Sequence, residues 1–398
     1  MKYLAYALGV VALGAVLVIG WAWQTVVWYP PVVDVTPSCD HPVAPWPDVS
    51  AAKVSPLRES DALPIDGEPR SGDALDGKTS DPRALKVMSF NVQYMAGKNY
   101  VFFYDVEGGP DSKPGKADTE ITLDRVAELI ADENPDVVML QEINDEHDSR
   151  TYFVDQVAAL QQRLGAQAYP CQVSAHYWQA GLVLHPNVLG AVSMKLVTLS
   201  RYPMTQARRH QLPLMEHDPL TTRFYFQRAV LESWMATESG EPIAFLNTHF
   251  DAWGESSGLM QKQVETTLSV IDALERQQIP WVLGGDLNLL PDDGNRQWEL
   301  LTKAHGQGFD EQTALAAVSD RFRQIPSIEV LTSPNPEKGY THFPNDPSVT
   351  GPDRTLDYLF YSDQWRLRHA YVRQQDTLDV SDHFPVIGVF ELSDRAPE

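Results

Sequence analysis

The chain has 398 residues, of which 43% are hydrophobic and 21% are charged, so it can form a sizeable core and is neither a disordered nor a coiled-coil protein. It carries 54 acidic and 31 basic residues, a net charge of −23. Nucleic-acid binding proteins gain most of their affinity from basic contacts to phosphates, so this charge argues against a stable nucleic-acid partner without excluding DNA as a substrate. The sequence leaves open the possibility of a local basic patch between Arg201 and His210.

The first predicted element is an uncharged N-terminal run over residues 3–33. It is longer than the roughly 20 residues that span a bilayer, Lys2 precedes it, and several tryptophans lie near its end. A cleaved signal peptide normally has a shorter apolar region and a small-residue cleavage site. We therefore predict an uncleaved transmembrane signal anchor over residues 1–28, with the membrane as a partner and the rest of the chain outside the cytoplasm, in the periplasm.

Residues 29–82 are rich in Pro, Asp and Gly and show no periodicity, which predicts an extended linker. The chain has two cysteines, Cys39 in this segment and Cys171. An oxidising compartment would allow them to form a disulfide, but two unrelated thiols are about equally compatible with the sequence. Both interpretations stay open.

Strand-like and helix-like segments alternate over residues 83–398, which predicts an α/β catalytic domain with mixed sheets. The predicted helices span residues 122–133 and 260–274, and the clearest strands span 86–91, 137–140, 281–283, 356–361 and 384–392. Longer loops over residues 101–119 and 332–352 are expected to shape a substrate pocket.

Polar side chains that can bind a metal ion or a phosphate lie at or beside predicted strands. They are Asn91, Gln141 and Glu142, Asn247 and His249, Asp286 and Asn288, Asp357, and Asp382 and His383. Taken singly, most have ordinary explanations, such as a turn asparagine or a glutamate where a strand reaches water. Asp357 differs, because a carboxylate inside an apolar strand is costly unless it is paired. Together these residue types are those needed to hydrolyse a phosphoester with a hard cation.

The order of these motifs, SFN, QE, LSRYP, NTH, GDLN, LDY and SDH, resembles the endonuclease/exonuclease/phosphatase (DNase-I-like) family over residues 85–390. That family includes nucleases, sphingomyelinases and inositol-polyphosphate 5-phosphatases. The resemblance implies a four-layer sandwich of two packed mixed β-sheets flanked by helices. One departure is Lys195, which stands where a glycine is expected shortly before LSRYP.

The resemblance also implies a metal site. Glu142 would be the main ligand, Asn91 would assist it, and Asp382 would complete the set. Mg²⁺ is the expected ion, with Mn²⁺ and Ca²⁺ as alternatives.

The remaining motif residues receive catalytic roles from the same resemblance. Asp286 would position or activate the attacking water, while Asn288 and His249 would contact the phosphate. His383 would act on the scissile phosphate as an acid/base or as a transition-state stabiliser. Asp357 would orient His383, as buried carboxylates do behind histidines in other hydrolases.

These observations predict a metal-dependent hydrolase of phosphoesters, above all phosphodiesters, acting near a membrane, with phospholipid headgroups as a candidate substrate. Aromatic residues at Trp253 and at Tyr177 and Trp178 could contact lipid, although core packing is the commoner role of such residues. An extracytoplasmic endonuclease is the first alternative. A non-catalytic scaffold with the same fold is the second.

Overall fold

The computed structural model of the protein describes residues 2–39, 84–165, 167–237, 240–252, 257–305 and 308–393. The helices of this part are α1 (Lys2–Thr25), α2 (Lys116–Glu133), α3 (Gln156–Leu164), α4 (Pro219–Phe224), α5 (Leu259–Arg276), α6 (Arg296–His305), α7 (Ala316–Ser319) and α8 (Ile328–Thr332). The strands are β1 (Val32–Val35), β2 (Ser38–Cys39), β3 (Ala84–Asn91), β4 (Val137–Asn144), β5 (Cys171–Val183), β6 (Gly190–Ser200), β7 (Met204–Gln211), β8 (Ala229–Ala236), β9 (Pro242–His249), β10 (Trp281–Asp286), β11 (Arg323–Ile325), β12 (Asp357–Tyr361), β13 (Trp365–Val372) and β14 (Val386–Leu392).

The strands form two seven-stranded sheets. The first sheet has the order β1-β7-β8-β9-β10-β12-β11, and the second has the order β13-β14-β3-β4-β6-β5-β2. Each sheet combines one parallel pair, β9 with β10 or β3 with β4, with antiparallel pairs. The predicted mixed sheets are therefore confirmed.

The alternation of side chains along the strands shows which face of a sheet meets the other sheet and which face meets a helix. In β10, Val282 packs in the core shared with the second sheet, whereas Trp281 and Leu283 belong to the cluster that buries α5. Successive residues of a strand point to opposite faces, so one face of the first sheet meets the second sheet and the other meets a helix. Helix α2 buries Val126 and Ile130 in the same core as the second sheet. The predicted four-layer sandwich is confirmed.

Two glycines let the chain pass through crowded space before the polar end of β10. A Cβ at Gly284 would lie 2.3 Å from Met139 Cε and 3.1 Å from Ser89 Cβ, both in the opposite sheet. A Cβ at Gly285 would lie 2.0 Å from the Thr248 carbonyl oxygen of the neighbouring strand. The sheets therefore touch directly beside the strand that carries Asp286.

The predicted signal anchor over residues 1–28 is not supported. Within the described residues, no helix has both the length and the apolar character required to cross a bilayer. The segment does form α1, and the end of this helix packs on the body of the protein. Ala22 is only 1% exposed, Trp23 contacts Phe224 edge-on, and the Thr25 hydroxyl accepts a hydrogen bond from the Gly181 amide at 2.8 Å. Part of the apolar sequence thus serves packing against the protein.

The first part of the predicted linker belongs to the sheets. Strand β1 pairs with β7, and β2 pairs with β5 beside a disulfide between Cys39 and Cys171. These edge strands have four and two residues, too few to reveal an alternating pattern in the sequence. Residues 40–83 lie outside the described part, so the boundary at 83 stays a prediction.

Candidate active site

Strand ends gather the predicted polar residues at one edge of the sandwich. The parallel strands β9 and β10 both finish there, with His249 and Asp286 in register, and the antiparallel strand β12 starts there with Asp357 opposite Asp286. In the second sheet, Asn91 ends β3 at the same edge. Chain direction alone therefore brings together residues that lie far apart in sequence.

One cavity of about 1090 Å³ opens at this edge. Six of the eight predicted site residues line it: Glu142, His249, Asp286, Asn288, Asp382 and His383. The other two lie directly behind them. Asn91 Nδ2 donates to Glu142 Oε1 at 3.2 Å and to Asp286 Oδ2 at 3.1 Å, and Asp357 Oδ2 lies 2.7 Å from His383 Nδ1.

His383 lies between two buried carboxylates. Its Nδ1 pairs with the fully buried Asp357, and its Nε2 lies 3.5 Å from Asp286 Oδ2. Burial alone would lower the pKa of His383, but the charges of Asp357, Asp286 and Asp382 raise that pKa well above the usual value of 6.5. The imidazole is therefore held in its protonated form, with Nε2 directed at the cavity end occupied by Asp286.

Asp286 is the most highly connected carboxylate of the site. It is 1% exposed; its Oδ2 lies 3.2 Å from His249 Nε2, and its Oδ1 accepts from the Asn288 amide at 3.0 Å. Burial raises the pKa of Asp286, while the charge of His383 opposes that rise. A carboxylate with a raised pKa accepts a proton more readily near neutral pH, which suits a general base.

His249 is held neutral. Burial, followed by the charges of Arg228 and His383, lowers its pKa well below the usual value. Its Nδ1 lies 3.3 Å from the Tyr177 hydroxyl. These contacts fit an imidazole that accepts from Tyr177 and donates from Nε2 to Asp286.

An irregularity in the backbone of β4 directs the side chains of Gln141 and Glu142 to different places. The pairing of β4 with β6 shifts register between Leu140 and Ile143, and Glu142 has a φ of 57°. Such bulges redirect side chains next to active sites. Glu142 faces the cavity, whereas Gln141 donates to Asn247 Oδ1 at 2.8 Å between the sheets. Gln141 and Asn247, grouped with the site by their sequence motifs, are thus inter-sheet contacts rather than cavity residues.

The donor set of the predicted metal site fits a hard divalent cation. Burial, and next the charge of Asp382, raises the pKa of Glu142 above its usual value. Asp382 Oδ2 accepts from Gln93 Nε2 at 2.8 Å, and the buried Gln93 Oε1 has no hydrogen-bond partner among the described residues. Carboxylate and amide oxygens are the ligands that Mg²⁺ and Ca²⁺ prefer, and a cation would offset the repulsion between Glu142 and Asp382. Asn91 stands beside them through its bond to Glu142.

A family model described as "Endonuclease/Exonuclease/phosphatase family" matches residues 88–383. The chain belongs to the endonuclease/exonuclease/phosphatase family. Members of this family are hydrolases. The match includes every predicted site residue, from Asn91 to His383, so the resemblance drawn from the sequence motifs is confirmed.

One solved structure agrees with this family assignment at the level of the fold, and two others are similar at lower TM-scores. An endonuclease/exonuclease/phosphatase from Beutenbergia cavernae DSM 12333 is similar at 22% identity and a TM-score of 0.52, over 78% of this chain and 72% of that one. The human Nocturnin catalytic domain is similar at 19% identity and a TM-score of 0.48, over 78% and 95% of the two chains. ANGEL2, a 2',3'-cyclic phosphatase, is similar at 15% identity and a TM-score of 0.47, over 78% and 96%. No curated protein matches the chain.

Arg228 is a residue of this hydrolase site that the sequence motifs did not indicate. It is 3% exposed, lines the cavity, and lies with its guanidinium carbon 5.0 Å from the centre of the Tyr177 ring. Its Nε is 3.5 Å from Asp251 Oδ1, while Nη1 is buried and has no hydrogen-bond partner in the part of the chain that the structure describes. A single arginine before a strand carries no sequence signal, so only the structure could reveal it.

His342 is a second such residue. Its ring meets the His383 ring edge-on with centres 4.6 Å apart, and its buried Nδ1 has no hydrogen-bond partner within the described ranges. Burial, and next the charge of His383, lowers the pKa of His342 well below the usual value. His342 lies in the long loop over residues 332–352, and the only signal was its sequence context THF, which repeats that of His249.

Two other features of the sequence have structural explanations. Lys195, at the departure from the family pattern, pairs with the buried Asp145 at 3.0 Å. Within the described residues, the members of the suggested basic patch are largely occupied: Arg209 is only 1% exposed, Arg208 pairs with Asp34, and His210 pairs with Glu232.

The aromatic residues considered for lipid contact are mostly internal. Tyr177 is fully buried beside His249, and Trp178 is 8% exposed and lines the cavity. Trp253 lies outside the described residues. Core and cavity packing therefore account for the two that the structure describes.

Proposed function

We propose that the protein is a divalent-metal-dependent hydrolase of phosphodiesters, with Mg²⁺ as its ion. The observation that carries this proposal is the placement of protonated His383 between Asp357 and Asp286, next to Glu142, in a cavity large enough for a substrate. Membership of the endonuclease/exonuclease/phosphatase family supports it.

In the proposed reaction, Asp286 orients a water molecule and accepts its proton as the water oxygen bonds to phosphorus and the ester P–O bond breaks. Attack and departure are roughly in line, so the leaving oxygen lies on the far side of the phosphorus from Asp286. His383 Nε2 is only 3.5 Å from Asp286, on the attacking side. His383 therefore donates a hydrogen bond to a non-bridging phosphoryl oxygen, and the leaving oxygen takes its proton from solvent.

Residues around the cavity bind the phosphoryl group before and during this step. Asn288 and His249 line the cavity on either side of Asp286, and Arg228 presents the buried Nη1 that lacks a partner. A charged, desolvated guanidinium is well suited to phosphate oxygens. Together they hold the phosphorus in line with the water that Asp286 orients.

Glu142, Asn91 and Asp382 would hold the Mg²⁺ ion. When bound, the ion would offset the negative charge of the phosphoryl group and of the departing oxygen. Mn²⁺ and Ca²⁺ have the same preference for oxygen ligands and are the other ions to test.

We further propose that the body works outside the cytoplasm, in the periplasm. The disulfide between Cys39 and Cys171 supports this location, because disulfides persist in oxidising compartments. Thiol labelling of the protein in intact cells tests it: two cysteines that react with a maleimide only after reduction support the proposal, and two that react at once contradict it.

The decisive test of function is a direct assay of the purified protein on plasmid DNA and on phospholipid vesicles, with Mg²⁺ and with EDTA. Metal-dependent headgroup release with intact DNA is the expected result, given the net charge of −23 and the buried Arg209. Metal-dependent nicking of DNA would instead favour the endonuclease alternative. No turnover of these substrates, or of a simple diester such as bis(4-nitrophenyl) phosphate, would favour the scaffold alternative.

A further inference from the structure

The cavity does not end at the catalytic residues. It continues into an apolar arm, lined by Trp178, Leu182, Val183, Val188, Met194 and Phe224. The whole cavity, at about 1090 Å³, exceeds the roughly 300–1,000 Å³ typical of small-molecule sites. A phosphodiester group alone would leave most of this space unused.

The cation nearest the apolar arm is already compensated. Arg150 lines the cavity, but its Nε and Nη2 donate to the two oxygens of Asp148 at 3.1 and 2.7 Å. Its guanidinium also lies 4.7 Å from the centre of the Trp178 ring. Arg150 thus closes the side of the arm without offering an uncompensated charge to a second phosphate, as a polynucleotide would require.

We infer that the apolar arm binds an aliphatic chain carried by the phosphodiester substrate; this inference rests on the proposed function and names its substrate class. Branched and flexible side chains such as Leu182, Val188 and Met194 suit a flexible hydrocarbon chain. The continuity of the cavity places the phosphodiester among Asp286, His383 and Arg228 while the chain extends past Trp178.

The N-terminal helix completes the wall of this arm. Ala22 of α1 lines the cavity, and Thr25 is fixed to β5 through the Gly181 amide. Phe224 of α4 lines the arm and contacts Trp23 of α1. The arm is therefore enclosed by segments that lie far apart in sequence, and experiments on it need the full chain.

A homologous series of substrates tests the inference. The purified full chain would be assayed with 4-nitrophenyl alkyl phosphodiesters carrying methyl, butyl, octyl and dodecyl groups, each below its micelle concentration, with Mg²⁺. We expect kcat/KM to rise by about fourfold per buried methylene and to level off once the arm is filled. A flat series would overturn the inference.

A variant that fills the arm gives an independent check. Val188→Trp adds volume at a half-buried lining position, and Ile121→Trp on α2, at 59% exposure, is the matched control. Val188→Trp should lower the ratio of kcat/KM for the dodecyl ester to kcat/KM for the methyl ester by at least tenfold, whereas Ile121→Trp should leave this ratio and both rates unchanged. Full retention of the gain in Val188→Trp would contradict the placement of the chain.

A binding measurement separates this inference from the proposed function. An alkylphosphonate brominated on its chain should quench the fluorescence of Trp178, and Trp178→Phe should remove that part of the quenching. Quenching without any turnover would refute the proposed hydrolysis and keep the chain site. The opposite result would be turnover of the methyl ester, no change of kcat/KM with chain length, and no quenching by the phosphonate. It would support the proposed hydrolysis and refute the chain site.

Discussion

The polar end of the cavity and its apolar arm are built in different ways. At the polar end, Asp286 and His249 stand at the finish of paired strands, and side-chain hydrogen bonds to buried neighbours hold them in place. The apolar arm is assembled from the end of α1, the hairpin of β5 and β6, and the short helix α4. Side chains at the ends of paired strands are held rigidly, as chemistry requires, whereas the arm depends on the packing of separate elements. Changes at the two ends should therefore have separable effects.

The largest effect on turnover is expected from Asp286→Asn. The amide keeps the shape of the side chain but cannot accept the proton of water, so kcat should fall by about 10³-fold, within the usual range for a general base. Steady-state kinetics on bis(4-nitrophenyl) phosphate measure this loss. Asp292→Asn, at an exposed position close by, is the control and should leave kcat unchanged. A loss below tenfold in Asp286→Asn would mean that another group takes the proton.

Asp357→Asn should produce the next largest loss, about 10²-fold in kcat, with a changed pH profile. The charge of Asp357 raises the pKa of His383, so its removal lowers that pKa. The reaction needs protonated His383, and therefore the alkaline limb of the profile should move to lower pH in the variant. Asp363→Asn, at an exposed position, should leave the limb in place. An unmoved limb in Asp357→Asn would assign that limb to a different group.

Glu142→Gln should raise the Mg²⁺ concentration needed for half-maximal activity by about 10- to 100-fold, because one charged ligand is lost. The pKa of Glu142 is raised, so in the unmodified protein this ligand takes up a proton earlier as the pH falls, and the Mg²⁺ requirement should increase toward acidic pH. Titrations of activity with Mg²⁺ at several pH values measure both effects. Glu146→Gln, at an exposed position, is the control. An unchanged Mg²⁺ requirement in Glu142→Gln would exclude Glu142 from the metal site.

The smallest effect on turnover of a chain-free diester is expected from removal of the disulfide. Cys39→Ala with Cys171→Ala releases a link between residues 132 apart in sequence, and loop-closure entropy predicts a loss of about 5 kcal/mol from the free energy of unfolding. Denaturant titration measures the stability. At 25 °C the rate on a methyl ester should stay within about twofold, because the strand ends that carry the chemistry are not touched. A large loss of that rate would show that the disulfide supports the geometry of the polar end.

The difference between the polar end and the apolar arm also decides what could be predicted from the sequence. The mixed sheets and the positions of Asn91, Glu142 and Asp286 followed from short-range patterns, since strand periodicity and motif order are local properties of the chain. The roles given to these residues stay predictions. Arg228 is a single residue whose importance depends on distant neighbours, so no local pattern could indicate it. His342 had only the THF context that it shares with His249.

The N-terminal segment shows a second limit of prediction from the sequence. An uncharged run predicts a helix but does not identify its neighbours, and the end of α1 packs against β5 and Phe224. The pairing of Cys39 with Cys171 stayed open for a similar reason, because sequence separation does not fix distance in the fold. The apolar arm depends on the same long-range contacts and could not be predicted.

Gly284 has a consequence for the site that it does not touch. Glu142 belongs to one sheet and Asp286 to the other, and the Asn91 side chain donates to both. Their separation is therefore set by the spacing of the two layers, and the missing Cβ of Gly284 permits the close approach to Met139 and Ser89 that fixes this spacing. In this protein, the distance from Glu142, the proposed metal ligand, to Asp286, the proposed catalytic base, is a property of the sandwich itself.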